Sequence, residues 1–288
     1  MRWAALALFG ALAGCSSAPP PPAPADVQMQ QAGRAGQQDL SIDRPHEAAQ
    51  QFRIALERAE LRDDLPAITD YAYDLAIAEL DDNQPEAALG TVRQVNAELA
   101  RRNSDSVPGL TLLEAIALYR IGSRAEADAL AASLEQSSER EIASQACFLR
   151  GLIADDRNDI AGLEGALRCV SQTAGSADSA NALELSARIS LLRGDAATAE
   201  AAADRVADQR RLAHDYRGMS RALALAGAAA LQAGSAAQAA SYYLRAGRSA
   251  AQQGNTADAR QWLQKALSLS HDVELRTEIQ SALSGIGK

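Results

Sequence analysis

Two cysteines, Cys147 and Cys169, have the spacing in this sequence that points most directly to a specific chemistry. They flank a polar break at Arg157-Asn158, and each lies eleven residues from Asn158. Residues equally far from the turn of an antiparallel helical hairpin lie at the same height, so these two side chains should meet. In an oxidising compartment such a pair forms a disulfide, which would stabilise the fold by roughly 3 kcal/mol. The alternative is two buried free thiols packed as small apolar side chains.

The remaining titratable residues form no recognisable catalytic or metal-binding motif. The three histidines, His46, His214 and His271, are far apart and lack a His-x3-His or Cys-x2-Cys companion, which favours roles at helix ends or in solvent. The sequence contains neither a P-loop nor a Gly-x-Ser-x-Gly nucleophile motif, and it lacks the Glu-Ser context expected of a lytic transglycosylase. We therefore predict no enzymatic activity, no metal site and no cofactor.

The first residues carry a processing signal. Arg2 precedes an apolar run over residues 3–13, which is shorter than the about 20 residues that a membrane-spanning helix needs. Residues 1–14 are thus predicted to be a signal peptide. The run ends in Leu-Ala-Gly-Cys, which resembles the lipobox of bacterial lipoproteins. By that resemblance Cys15 becomes the lipidated first residue of the mature protein, and its several acyl chains make a stable anchor. A secretory signal followed by an unmodified cysteine is the alternative.

Residues 15–26 are predicted to be a tether between this anchor and the folded part. Ser16 rather than Asp follows the cysteine, and in Gram-negative lipoproteins that implies the outer membrane, usually facing the periplasm. The segment SSAPPPPAPAD is rich in proline, and such segments are extended at about 3.1 Å per residue. The tether would therefore hold the folded part roughly 30 Å from the bilayer.

Composition indicates a closely packed helical protein. Hydrophobic residues make up 47% of the chain but aromatic residues only 4%, and alanine, which favours helices over sheets, supplies much of the apolar content. No run alternates in the way that a β-strand does, so we predict no strands. The net charge of −9 argues against a nucleic-acid-binding surface.

The helices are predicted to come in pairs. After the turn at Gly234-Ser235, Ala239, Tyr243 and Ala246 place a small, a large and a small residue on one helix face. The same unit recurs along the chain at intervals of 36–40 residues, which is typical of a helical solenoid. The first small residues of the second helices are Ala48, Ala88, Ala127, Leu163, Ala199 and Ala239.

Residues 223–246 resemble the tetratricopeptide repeat (TPR). They read Leu-x2-Ala-Gly-x2-Ala and then Ala-x3-Tyr, which follows the order of the family pattern. The sequence departs from that pattern at Ala230, where the family prefers an aromatic residue, and at Ala251, where it often has proline. At the level of hairpins the resemblance covers nearly all of the mature chain. It implies an all-α, right-handed helical-hairpin solenoid (TPR-like) of about six to seven hairpins in residues 27–288.

A solenoid of this kind offers a concave surface for binding, which in the TPR family is lined by the first helix of each pair. Aromatic and arginine side chains are the usual anchors of protein interfaces. For each candidate on this surface, the alternative is a place in the core between adjacent hairpins. The exposed candidates are Tyr73, Ile77, Tyr119, Arg120, Phe148, Arg188 and Arg221.

These features lead us to expect a lipoprotein of the outer membrane that scaffolds protein–protein contacts in the cell envelope. Assembly of a pilus or secretin, assembly of outer-membrane proteins and control of peptidoglycan enzymes are all compatible with this role. One alternative is a protein that binds a small molecule or glycan fragment inside the superhelix, which a closed pocket with converging polar groups would favour. The other is an enzyme with an unrecognised site.

Overall fold

The computed structural model describes residues 25–173 and 180–286, and in these ranges the chain forms α-helices and no strand. Cys15, the predicted signal peptide and most of the predicted tether lie outside the described residues. The helices are α1 (Val27–Ser41), α2 (Pro45–Leu61), α3 (Leu65–Asp81), α4 (Pro85–Arg101), α5 (Pro108–Arg120), α6 (Arg124–Leu134), α7 (Arg140–Asp156), α8 (Ile160–Thr173), α9 (Ala180–Leu192), α10 (Ala196–Leu212), α11 (Tyr216–Gln232), α12 (Ala236–Gln252), α13 (Thr256–Leu269) and α14 (Val273–Gly285).

The helices form a solenoid of seven hairpins over the described residues, which confirms the predicted fold class. Each helix packs against its neighbours in the chain, beginning with α1 against α2. The odd-numbered helices from α3 to α11 also pack against one another, whereas the even-numbered helices of the described chain do not do so comparably. Helices on the concave side of a curved array approach each other more closely than those on the convex side. The odd-numbered helices therefore form the inner layer and the even-numbered helices the outer layer.

Tight turns join the helices. Several of them contain one residue in the left-handed region, which asparagine, aspartate and glycine tolerate best. Asn158, in the break predicted between the two cysteines, has φ +53°, and Gly234 and Gly254 have φ +83° and +71°. Side-chain caps and prolines then start the next helix: Asp64 accepts a hydrogen bond from the Ala67 amide, and Pro85 and Pro108 occupy first helical positions.

Large side chains of the outer layer pack onto glycines of the inner layer. Tyr243 is only 2% exposed, and a Cβ added at Gly227 would lie 3.2 Å from its ring. Phe52 is fully buried, and its ring lies so close to Gly36 that a Cβ there would approach within 2.8 Å. Full burial of one such ring contributes about 1.5–3 kcal/mol. The predicted pattern of small and large residues therefore is the packing face of the hairpins.

The curvature of the solenoid brings the second hairpin into contact with the sixth. Arg217, in the first turn of α11, donates hydrogen bonds to the carbonyl oxygens of Leu80 at 3.4 Å and Asp81 at 3.3 Å. It also reaches the side-chain oxygen of Asn83 at 3.3 Å. These partners are separated from Arg217 by 134 to 137 residues, so the curved solenoid brings two distant parts of the chain into contact at one edge.

Candidate functional site

All seven candidate binding residues lie on inner-layer helices, but they do not form one surface. Tyr73 and Ile77 lie on α3, and both pack against the core shared by the first three hairpins. The ring of Tyr73 lies over Gly109, where a Cβ would come within 2.8 Å of it. Burial raises the pKa of the Tyr73 hydroxyl, and the charge of Glu141 adds to this effect. Tyr73 and Ile77 therefore match the alternative, a place in the core between adjacent hairpins, better than they match exposed binding residues.

A buried carboxylate, Glu184 on α9, organises the middle of the inner layer. It is fully buried and accepts hydrogen bonds from Arg188 at 2.9 Å and from Arg210 at 3.0 Å. Arg221 binds both of its oxygens, through Nε at 2.7 Å and Nη2 at 3.1 Å. Three guanidinium groups thus surround one carboxylate, and we call these four residues the Glu184 cluster.

The charges of the Glu184 cluster stabilise one another. Burial by itself would raise the pKa of Glu184, but the positive charges of Arg221 and Arg188 outweigh this effect and hold the pKa well below its usual range. Burial by itself would lower the pKa of Arg221, and Glu184 raises it instead. A buried charge costs several kcal/mol unless it is paired. Each charge of the cluster therefore depends on the others for its stability in a buried position.

Two more carboxylates complete the charge balance around this cluster. Asp155, near the end of α7, pairs with Arg188, and Asp215, before α11, pairs with Arg210 at 2.5 Å. The three arginines therefore face three carboxylates drawn from the fourth, fifth and sixth hairpins. Within the Glu184 cluster, the Nε atoms of Arg188 and Arg210 are buried without a hydrogen-bond partner among the described residues. The expectation that Arg188 is exposed is wrong, since the residue is 8% exposed and its charge is matched inside the chain.

Phe148 on α7 contacts two arginines of the Glu184 cluster. The guanidinium carbons of Arg210 and Arg221 each lie 5.5 Å from the centroid of its ring, within the range of a cation–π interaction. Tyr119 faces arginines of the same cluster: burial raises the pKa of its hydroxyl, and the positive charges of Arg188 and Arg221 partly offset this rise. The structure thus brings together four of the predicted residues: Tyr119, Phe148, Arg188 and Arg221.

Arg120 lies at the edge of the solenoid where the second and sixth hairpins are in contact. Its Nη1 donates to the carbonyl oxygen of Leu80 at 2.5 Å, the same oxygen that accepts from Arg217. Burial lowers the pKa of Arg120 to about 9, and the positive charge of Arg217 adds to this effect. Both arginines cap the C-terminal end of α3, which carries the negative end of the helix dipole. Sequence inspection missed Arg217, which had no pattern to mark it.

A polar cleft of about 690 Å³ lies beside Arg217, where turns of the first two hairpins face those of the later ones. We call it the edge cleft, and it is lined by residues 43–47, 81–82, 213–217 and 252–254. His46 Nδ1 lies 2.9 Å from Asp82 at its rim, and this hydrogen bond raises the pKa of His46. The cleft contains several carboxylates together with two arginines and two histidines, so charges of both signs line it.

The two cysteines face each other across the hairpin of α7 and α8. Cys147 is fully buried, and the two residues are joined as a disulfide with Cα atoms 5.8 Å apart, a usual separation for such a bond. The redox state of this pair in the mature protein stays a prediction. Glu135, which directly follows α6, contributes an oxygen that lies within 4.8 Å of both sulfur atoms. Sequence inspection missed this residue because it comes from a different hairpin.

Glu184 was also missed, although its sequence carries a weak signal. It lies four residues before Arg188 on a helix whose other buried residues are mostly apolar, such as Leu185 and Ile189. A charged pair on an apolar face is the mark of a buried ion pair. The carboxylate accepts hydrogen bonds from three arginines, so the cluster serves to hold helices together and has no base left to activate a nucleophile.

Two solved structures are similar to this chain over most of its length. A tetratricopeptide repeat protein from Parabacteroides merdae ATCC 43184 is 13% identical, and the match covers 90% of this chain and 99% of that protein with a TM-score of 0.52. The TPR2AB domain of yeast Sti1, in a complex with pHSP90, is 14% identical over 88% of this chain and 98% of its own, with a TM-score of 0.34. No protein-family model and no curated protein matches the chain. The first likeness shows a TPR-like fold.

No helix in the described part of the chain combines the length and the hydropathy needed to cross a bilayer.

Proposed function

We propose that this chain is a lipid-anchored protein of the outer membrane that faces the periplasm and scaffolds protein–protein contacts in envelope assembly. The observation that carries the proposal is the patch formed by Tyr119, Phe148 and Arg221 on the inner layer, which we call the inner patch. All three side chains are half-buried. The rings of Tyr119 and Phe148 pack on one side against core residues, as Tyr73 and Ile77 do, and each of the three side chains keeps part of its surface accessible. The few residues that dominate binding energy in protein interfaces are enriched in tyrosine, tryptophan and arginine.

The inner patch is held in place before any partner arrives. Glu184 fixes the guanidinium of Arg221 with two hydrogen bonds, and Arg221 in turn lies against the ring of Phe148. Side chains that are already ordered lose less conformational entropy on binding, which improves affinity. The Glu184 cluster therefore supports binding indirectly, by positioning the anchors rather than by touching the partner.

The anchoring part of the proposal rests on sequence. The lipobox ending at Cys15 and the proline-rich tether that follows support a lipid anchor and a folded part that stands away from the bilayer. The envelope systems compatible with this placement are assembly of a pilus or secretin, assembly of outer-membrane proteins and control of peptidoglycan enzymes.

Crosslinking in intact cells, followed by capture of the chain, tests the scaffold. We expect the unchanged chain to capture a specific envelope protein and Phe148→Ala to lose it, because truncation of a hot-spot aromatic costs about 2 kcal/mol or more. Ile54→Ala is the matched control, since Ile54 is 36% exposed on the outer-layer helix α2, and it should keep the partner. Equal capture by Phe148→Ala would show that the inner patch does not bind.

The anchor is tested separately by fractionation. A Cys15→Ser variant should leave the membrane fraction, because the acyl chains would then have no attachment site. If the variant still sediments with outer membranes after a salt wash, a partner rather than Cys15 anchors the chain. A scaffold that is not lipidated would remain compatible with a positive crosslinking result, so the two parts fail independently.

Binding of a small molecule or glycan fragment is a second candidate function, and the edge cleft favours it, although this cleft lies among turns at the edge of the solenoid and not inside the superhelix. Its volume of about 690 Å³ lies within the range of about 300–1,000 Å³ found for ligand sites. Its polar lining suits a ligand with many hydroxyl or amide groups. Peptidoglycan fragments should raise the melting temperature of the unchanged chain but not of Arg217→Ala, whereas equal shifts in both would place the ligand elsewhere.

A further inference from the structure

Glu135, Cys147 and Cys169 bring one oxygen and two sulfur ligand atoms together at the junction of the third and fourth hairpins. The three ligand atoms lie within 4.8 Å of one another. They come from three places in the chain: the residue that caps α6, the middle of α7 and the last turns of α8. Nothing in the packing of an ordinary disulfide requires a carboxylate this close to both sulfur atoms.

We propose that, once the disulfide is reduced, these three residues bind a divalent metal ion of the zinc type. Thiolate and carboxylate groups are both zinc ligands, and zinc sites accept a water molecule as the fourth ligand. A dithiol reductant supplies the two electrons and two protons that convert the disulfide into two thiols, and is itself oxidised to a disulfide. The metal ion then displaces both thiol protons as the two metal–sulfur bonds form.

Charges around the site fit a divalent cation. Two thiolates and one carboxylate carry three negative charges, which a divalent ion does not fully neutralise. Arg150 supplies a further positive charge beside the site, since its Nη1 donates to Glu135 at 2.5 Å. Its Nε donates to Asp128 at 2.8 Å, which fixes the guanidinium and, through it, the carboxylate. Partners of this kind orient metal ligands and raise affinity.

Access and burial also fit a site with one open position. Cys147 is fully buried, whereas Cys169 and Glu135 are half-buried, so the ion can enter from the side of the latter two. Two sulfur atoms bound to one zinc ion lie about 3.8 Å apart, given zinc–sulfur bonds of about 2.3 Å. The Cα separation of 5.8 Å allows this by side-chain rotation. Metal binding and the disulfide are therefore mutually exclusive states of one site.

The test uses the full chain with Cys15→Ser, which leaves Cys147 and Cys169 as its two cysteines. The protein is reduced, freed of reductant without oxygen and titrated with Co²⁺, whose bonds to thiolate give a charge-transfer absorption band. We expect one Co²⁺ per reduced chain, displacement of that Co²⁺ by Zn²⁺, and no band from the oxidised chain. Absence of the band from reduced protein that keeps its helical circular dichroism overturns the proposal.

Glu135→Gln tests the third ligand without touching the cysteines. We expect Co²⁺ to bind this variant at least about tenfold more weakly, since even loss of an outer partner of a metal ligand costs that much. Glu139→Gln is the matched control, because Glu139 is an exposed residue directly before α7 whose side chain makes no capping bond, and it should bind as the unchanged chain does. Equal affinity of Glu135→Gln and Glu139→Gln would exclude the carboxylate and overturn the three-ligand site.

Discussion

Arg221 donates two hydrogen bonds, 2.7 Å and 3.1 Å long, to the two carboxylate oxygens of Glu184, which lies in the preceding hairpin. The two residues are 37 positions apart, which is close to the period of the repeat. The pair therefore links neighbouring inner-layer helices, α9 and α11.

Removal of the central carboxylate should destabilise the whole solenoid. We expect Glu184→Gln to lower the free energy of unfolding by about 3–5 kcal/mol, because it leaves buried arginines without a matching charge. Urea denaturation followed by circular dichroism measures the change. Glu164→Gln is the matched control: it removes a carboxylate whose partner Arg193 is 57% exposed, and such surface pairs contribute about 1 kcal/mol or less. Equal effects of the two variants would contradict a structural role for Glu184.

The lowered pKa of Glu184 should make the free energy of unfolding depend on pH. Because the pKa of Glu184 is lower in the folded than in the unfolded chain, its contribution is fully present above the unfolded value of about 4.3. It is lost progressively as the pH falls from there towards the lower folded pKa. Unfolding free energies measured from pH 7 to pH 3 should therefore drop below about pH 4.3, and Glu184→Gln should lose less over that range. A parallel drop in the two proteins would assign the acid sensitivity to other groups.

The contact between the second and sixth hairpins should set the overall dimensions of the molecule. Replacement of Arg120 and Arg217 by alanine removes both donors to the Leu80 carbonyl, so we expect a more open superhelix with a larger radius of gyration in small-angle X-ray scattering. Arg205→Ala, at an exposed position on the outer-layer helix α10, should leave the scattering unchanged. If the double variant scatters as the unchanged chain does, packing of neighbouring hairpins alone fixes the curvature.

The redox state of the cysteines is directly measurable. We expect Cys147 and Cys169 to be disulfide-bonded in protein taken from the periplasm, because that compartment is oxidising. Intact mass after alkylation, with and without prior reduction, distinguishes the two states. Two alkylated thiols in the unreduced, denatured sample would contradict the prediction. Loss of the bond should lower the free energy of unfolding by roughly 3 kcal/mol.

Local patterns were enough to predict the hairpins. Ala239, Tyr243 and Ala246 are all buried, as expected from their positions on one helix face, and Asn158 does form the turn between the cysteines. Each of these predictions depends on residues within one or two helices, where spacing along the chain translates directly into position. By contrast, Gly33 lies where a Cβ would meet the ring of Tyr71, a neighbour that spacing within the first hairpin does not reveal.

The inner layer was harder to predict because its burial depends on curvature. The exposure of Arg188 depends on how closely α7, α9 and α11 approach one another. That distance depends on the small rotation between each hairpin and the next. The contact of Arg217 with Leu80 depends on all the rotations between hairpins in the 137 residues that separate the two. An error of a few degrees per hairpin would separate the two groups, so spacing alone cannot predict this contact.

The bond between Arg217 and the end of α3 has a consequence for how the array can vary. Repeat proteins in which each unit touches only its neighbours can gain or lose a unit at little cost, and their stability is a sum of local terms. Here an inserted hairpin between α4 and α10 would move Arg217 away from its acceptors. The number of hairpins between the second and the sixth is thus fixed by this contact, and we expect these two hairpins to unfold in one cooperative step.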